Sequence, residues 1–262
     1  MDFTYKNLAK PTIIIQARIG SKRFPKKVLS KIEKKPMIWY SIERTKGIPG
    51  IKQVILATTK NPQDKILLKI AKECKIMSFK GKTYDVLDRY YQCAIKFDAD
   101  PIIRITGDCP LIDSTIIKKM LDQYLKSNYD YLTNTFPPTF PDGLDVEIFS
   151  FKTLQKIVRK AKLSSDKEHV TSYIRNHPKE FRIFNYENIN DLSKFRWTVD
   201  EKEDLVFVKK IYNKMKPNVD FSMQSILKII SKEPNISKIN SKISRNEGYL
   251  KSVKRDKKNL KN

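Results

Sequence analysis

The stretch TIIIQARIGSKRFPKK, from Thr12 to Lys27, sets a short apolar run directly against a loop that carries only positive charge. The run from Thr12 to Ala17 follows Pro11 and ends in polar sequence, as a buried parallel strand does. The loop behind it holds Arg18, Lys22, Arg23, Lys26 and Lys27 and no acid, with Gly20 and Ser21 supplying a pliable backbone and a hydroxyl. Several cations and donors on one concave loop are what a polyphosphate needs. A solvated basic turn is the alternative. The loop is not a Walker loop, because none of the glycines falls into GxxxxGK or GxGxxG spacing.

Outward from this stretch, strand and helix signals alternate. Pro36 opens a helical segment, MIWYSIERTK, that ends at Gly47 and the Pro49-Gly50 turn. QVILATT (53–59) reads as a strand, and Asn61-Pro62 then starts a helix through QDKILLKIAKEC. A short strand near Ile76 to Phe79 precedes a helix from Asp85 to about Phe97. PIIRIT (101–106) is a further buried strand, broken by Gly107. Ile116, Ile117, Met120, Leu121, Tyr124 and Leu125 form one helical stripe. This alternation predicts an α/β fold, a doubly wound, mostly parallel sheet flanked by helices.

The second half is more mixed and suggests a small mixed insertion. LDVEIFS alternates like a half-exposed strand, and a helix is expected near Phe151 to Lys162. Ser165-x-x-Glu168 reads as a capping box for the next helix; RIFNY and FRWTV read as strands. Asp200-x-x-Glu203 would start an amphipathic helix bearing Leu205, Val208, Ile211, Tyr212 and Met215. The expected division is an α/β domain over 12–230 and a basic C-terminal extension over 231–262.

With 262 residues, 40% of them apolar, the chain can bury one sizeable core. It has no apolar run of about 18 residues, the length needed to span a membrane. Asp2 interrupts the N-terminus early and argues against a secretory signal. Cys74, Cys93 and Cys109 are too scattered for a disulfide framework or a zinc site, and His169 and His177 are too few for histidine metal chemistry. These features fit a reduced, cytoplasmic protein. The net charge of +24 is spread along the chain, although 231–262 alone contributes +7. That spread favours solvated lysine faces over nucleic-acid binding.

In open parallel sheets, ligands sit beyond the carboxyl ends of the strands. Asp108, in GDCPLID, follows PIIRIT there and could hold Mg2+ against phosphate oxygens or simply form a turn. Asp200, in RWTVDEKED, could do the same or cap the helix that follows. Asp98-Ala99-Asp100 has the look of a glycosyltransferase metal motif, but it precedes PIIRIT and so lies at the opposite sheet end.

ARIGSKRFPKK resembles the A-R-x-x-S-x-R-x-P-x-K motif of sugar cytidylyltransferases, the family of CMP-Kdo and CMP-sialate synthetases. GDCPLID and TVDEKEDL resemble its later motifs. DVLDRYYQCA, PDGLDVEIF, KEHVTSYI and NEGYLKS are similar to the spore coat polysaccharide biosynthesis (SpsF) branch. The resemblance runs from Thr12 past Tyr249. It implies a Rossmann-like nucleotidyltransferase fold that moves CMP from CTP to a sugar-like or sugar-acid acceptor, with release of pyrophosphate and Mg2+ as cofactor. A phosphonate or phosphorylated acceptor is an alternative. It further implies that Arg18, Ser21, Arg23 and Lys27 bind the triphosphate, with the backbone of Ala17 and Arg18 near the cytosine. Arg18 and Lys27 would be catalytic, Asp108 and Asp200 metal ligands, and Asp142, Asp145 and Glu147 acceptor contacts. Glu168 and His169 fit structural and functional roles equally. A homodimer is implied as well. Lys26 stands where the family often has glycine, which would strain the loop if the position needs a positive φ.

Overall fold

The computed structural model describes residues 9–21, 23–245 and 247–259, so Asp2, Lys22 and Asn246 lie outside the described residues. Strand β1 (Thr12–Gln16) is the centre of the sheet, and Thr12 through Ile15 are completely buried. The loop after it closes in a 3-10 turn and a short antiparallel hairpin, β2 (Lys31–Ile32) and β3 (Lys35–Pro36), leading into α1 (Met37–Glu43). Then come β4 (Gln53–Thr59), α2 (Lys65–Glu73), β5 (Met77–Gly81), α3 (Val86–Phe97), β6 (Ile102–Thr106) and α4 (Ser114–Leu125). Asp85 caps α3 by accepting the Asp88 N–H, which explains why that helix starts where the sequence suggests, and Asp113 caps α4.

The second half supplies β7 (Tyr131–Thr133), β8 (Glu147–Phe149), α5 (Phe151–Lys160), α6 (Ser164–His169), α7 (Ser172–Asn176) and β9 (Ile183–Asn185). Helices α8 (Lys202–Met215), α9 (Met223–Lys232) and α10 (Glu247–Asn259) follow. The seven strands lie in the order β5-β4-β1-β6-β8-β7-β9. The β5-β4-β1-β6 half is all parallel; β8 runs antiparallel to β6 and β7, and β9 is parallel to β7. The result is the mostly parallel, helix-flanked sheet of the Rossmann-like nucleotidyltransferase fold. Alternate residues feed separate cores: Ile13 and Ile15 pack with α1, α4, α8 and α9, while Ile14 packs with α3, α5 and α7. Among the described residues no helix is long and apolar enough to cross a membrane.

Local readings of the second half change in the structure. The β8 strand is buried on both faces rather than half-exposed, because Glu147 is taken up by Arg104 on β6 and Arg175 on α7. The stretch FRWTV forms no strand, only a bridge from Arg196 to Asp142. Its N–H groups go instead to loop carbonyls: Trp197 and Thr198 to Asp142, and Val199 to Asp108. The α6 helix has no capping box; the Ser165 N–H donates to Asp256 from α10 at 2.9 Å. The α8 capping box is shifted by one residue, to Glu201 and Asp204, which leaves the Asp200 carboxylate out of it. The turn reading of Asp98 agrees with its left-handed conformation at the end of α3, and Asp100 bridges to Lys10 beside the start of β1.

Candidate active site

The loop after β1 is shaped by contacts to buried groups rather than by its own charges. Ile19 is buried, and its N–H donates to Asp64 Oδ1 at 2.7 Å; the Thr59 hydroxyl holds the other oxygen of Asp64. Ser21 and Lys26 both return their N–H groups to the Ile19 carbonyl, at 2.8 and 3.3 Å, so the chain curls around one point. Lys26 adopts φ 59°, ψ 19°, the left-handed region that glycine enters without steric cost. The strain anticipated at this position is therefore present. It turns the chain so that Lys27 points inward while Lys26 stays exposed.

A second loop meets the first because Gly107 has no side chain. A Cβ there would lie 2.9 Å from that of Ala17 and 3.0 Å from the Gln16 carbonyl. A third loop arrives through Gly143, at φ 109°, where a Cβ would meet the Thr198 backbone N at 2.5 Å. Asp108 and Asp200 are thus brought together although β6 precedes one and irregular chain precedes the other.

Lys27, 8% exposed, reaches between them. Its Nζ donates to Asp108 Oδ2 and Asp200 Oδ1, each at 2.7 Å. Arg23 Nη2 lies 2.8 Å from the same Asp200 oxygen. Burial by itself lowers the Lys27 ammonium, but the Asp108 and Asp200 carboxylates outweigh it and raise the pKa. Burial alone would raise the Asp108 carboxyl; the Lys27 charge and hydrogen bonds from Lys27 and Thr106 instead hold it at about 2. Lys27 and Asp108 are thus both held in their charged forms at neutral pH. Arg18 is exposed and makes no ion pair among the described residues. The Ser21 hydroxyl accepts the Phe24 N–H at 3.4 Å, and Ala17 is buried at the strand end.

Asp142 and Asp145 adjoin this cluster. Asp142 accepts from Arg196 Nη1 at 2.9 Å, and Asp145 from Arg245 Nη2 at 2.6 Å. Burial and the neighbouring Asp145 carboxylate push Asp142 up to about 7 against the pull of Arg245 and Arg196. Glu147 sits elsewhere. Its hydrogen bonds and ion pairs run to Arg104, Tyr131, Thr171 and Arg175, and despite burial the arginines hold its carboxyl at about 2. Glu168 and His169 contact α10 through Ser252, at 2.7 and 3.1 Å.

Sequence reasoning passed over Asp64, Arg196, Asp204, Asn240 and Arg245. Arg196 could have been noticed as the charge opening the apolar RWTV run. Asp64 and Asn240 gave no signal, because their role depends on a partner more than 30 residues away.

No group of three or more His, Cys, Asp or Glu among the described residues is arranged to hold a metal. Two carboxylates within 2.7 Å of one nitrogen still fit Mg2+, which is commonly held by one or two carboxylates plus substrate phosphates.

Comparison with known proteins identifies the family of the chain. A family model described as cytidylyltransferase matches residues 12–250. The uncharacterized protein MJ1063 of Methanocaldococcus jannaschii is 34% identical over 235 residues, covering 88% of this chain and 94% of that protein. The spore coat polysaccharide biosynthesis protein SpsF of Bacillus subtilis is 29% identical, covering 85% and 94%. The solved structure of a cytidylyltransferase from Leptospira borgpetersenii superposes with a TM-score of 0.85 at 34% identity, over 90% of this chain and all of that one. A match that spans the sheet, all three loops and most of the C-terminal segment leaves one conclusion: this chain belongs to the cytidylyltransferase family.

Proposed function

We propose that this protein transfers CMP from CTP to a sugar-like or sugar-acid acceptor, with Mg2+ as cofactor, in the cytoplasmic synthesis of cell-surface polysaccharide. The observation that carries the reading is the convergence of Lys27, Arg23, Asp108 and Asp200 just past the carboxyl ends of β1 and β6. Membership in the family supports the nucleotide, and the name of the Bacillus subtilis relative supports the pathway. Free, buried Cys74, Cys93 and Cys109 fit a reducing compartment.

An acceptor oxygen attacks the α-phosphorus of CTP in line. The bond from that phosphorus to the bridging oxygen breaks, pyrophosphate leaves, and the acceptor proton passes to water. Arg18, Ser21 and Arg23 hold the triphosphate, while Lys27 neutralises charge that develops on its oxygens. Mg2+, held by Asp108 and Asp200, would supply further charge neutralisation. Asp142 and Asp145 face the acceptor side, whereas the bonds of Glu147 run to Arg104, Tyr131, Thr171 and Arg175 instead.

The test is the melting temperature with Mg2+ and each of CTP, UTP, ATP and GTP. A ligand at about 100 times its dissociation constant adds roughly 2.7 kcal/mol. CTP alone should raise the midpoint, and Arg18→Ala should abolish the rise. Absence of any nucleotide effect would remove the catalytic reading.

A further inference from the structure

Asp200 is presented by irregular chain, so no strand ladder fixes its carboxylate. Something else must. Its Oδ1 faces Lys27 and Arg23, while its Oδ2 accepts from Arg196 Nη2 at 3.1 Å. The Arg196 side chain is only 5% exposed. Its Nε and Nη2 grip the two oxygens of Asp204 at 2.9 and 3.1 Å, a bidentate fork that fixes the plane of the guanidinium. Nη1 donates to Asp142 at 2.9 Å and to the Ser244 carbonyl at 3.3 Å.

Asp204 adds a second, independent restraint. It is completely buried, and its Oδ2 accepts the backbone N–H of Asp200 at 2.9 Å and of Glu201 at 3.0 Å. Asn240, from the chain beyond α9, donates one amide nitrogen to the Arg196 carbonyl and to Asp204 Oδ1, both at 2.9 Å. The backbone of Asp200 is therefore held by Asp204, and its carboxylate by Arg196. Asn240 locks those two together.

A buried ion cluster is a weak stabiliser, since apolar residues of similar volume often serve a core as well. This one touches the proposed reacting site, and Arg196 and Asp204 both bond directly to Asp200. We infer that Arg196 is a positioning residue for the transfer reaction, turning Asp200 Oδ1 toward Lys27 and the phosphates, with Asn240 as its brace. The inference rests on the metal-ligand role of Asp200 in the proposed function.

The experiment titrates Mn2+, read by its free-ion electron paramagnetic resonance signal, into the full chain with saturating CTP. Arg196→Lys keeps the positive charge but lacks the fork that engages three carboxylates at once. With wild-type circular dichroism, this variant should bind CTP without metal within about twofold of wild type. Its Mn2+ affinity should fall about 10–100-fold, the range for residues that orient metal ligands. Its kcat should fall while KM for CTP barely moves. Wild-type Mn2+ affinity in folded Arg196→Lys overturns the inference, as does parallel loss of CTP and Mn2+ binding. If Arg196→Lys does not fold, Asn240→Ala decides: a threefold or greater loss of Mn2+ affinity supports the brace, and an unchanged affinity overturns it. Wild-type protein that binds CTP but no Mn2+ would overturn the metal-ligand role of Asp200 itself, a result distinct from an insensitive variant.

Discussion

Replacing Lys27 with methionine should expose how much of this site is held by one charge. Methionine preserves most of the apolar stem but leaves Asp108 and Asp200 facing each other across the space that Nζ fills at 2.7 Å from each. The Asp108 carboxyl is held at about 2 rather than its ordinary 3.8, which corresponds to about 2 kcal/mol of stabilisation at neutral pH. Its side chain is 27% exposed, which trims that figure, whereas the Asp200 pairing adds to it. Lys27→Met should therefore cost about 2–3 kcal/mol, near the lower end for breaking a buried pair. The sign follows from the depressed carboxyl: the stabilisation is complete above the unfolded value and fades as pH falls from about 4 toward 2. Urea unfolding at pH 7 without divalent ions, followed by tryptophan fluorescence, reads the loss directly. Adding Mg2+ should restore more stability to the variant than to the wild type, because the cation then meets two carboxylates with no ammonium between them. A variant within about 0.5 kcal/mol of wild type, the range of ordinary surface substitutions, would refute the claim that Lys27 holds the carboxylates together.

Asp108→Asn should lower pyrophosphate release by roughly two to three orders of magnitude and remove its response to Mg2+; near-native turnover with ordinary Mg2+ dependence would displace Asp108 from the site. Burial holds the His169 imidazole at about 4, below its ordinary 6.5. Its contribution is thus present above about 6.5 and lost as pH falls toward 4, and His169→Gln should flatten stability over that window by roughly 1–2 kcal/mol after allowing for partial exposure. An unchanged pH slope in urea unfolding would count against it. Lys26→Gly should stabilise the protein by roughly 0.5–1 kcal/mol, relief of the left-handed strain being partly offset by a freer unfolded chain; a loss of stability would show that the Lys26 side chain holds the loop.

How much of the site the sequence conveyed depended on the range of the interactions. Asn61 and Asp85 cap the helical turns that the sequence starts there, because a cap involves a side chain and an N–H only two or three residues away. Asp200-x-x-Glu203 misled for a related reason. Several acids follow one another, and which of them caps depends on whether Lys27 or Arg23, more than 170 residues earlier in the chain, has already claimed one. The FRWTV run has strand composition, yet the donors of Trp197, Thr198 and Val199 find loop carbonyls 55 to 91 residues earlier in the chain.

The sequence by itself determined the alternation of strands and helices, the cationic loop after β1, and the strand-end position of Asp108. Each follows from side-chain periodicity, turn chemistry or local charge, all of which act over a few residues. Tertiary structure alone decided that Lys27 lies between Asp108 and Asp200, that Lys26 takes a strained conformation, and that Asn240 and Arg245 from the basic C-terminal segment reach the site. Those outcomes rest on glycines that let separate loops touch and on buried charges that must find partners once water is excluded. Neither condition exists until the chain has folded around the sheet.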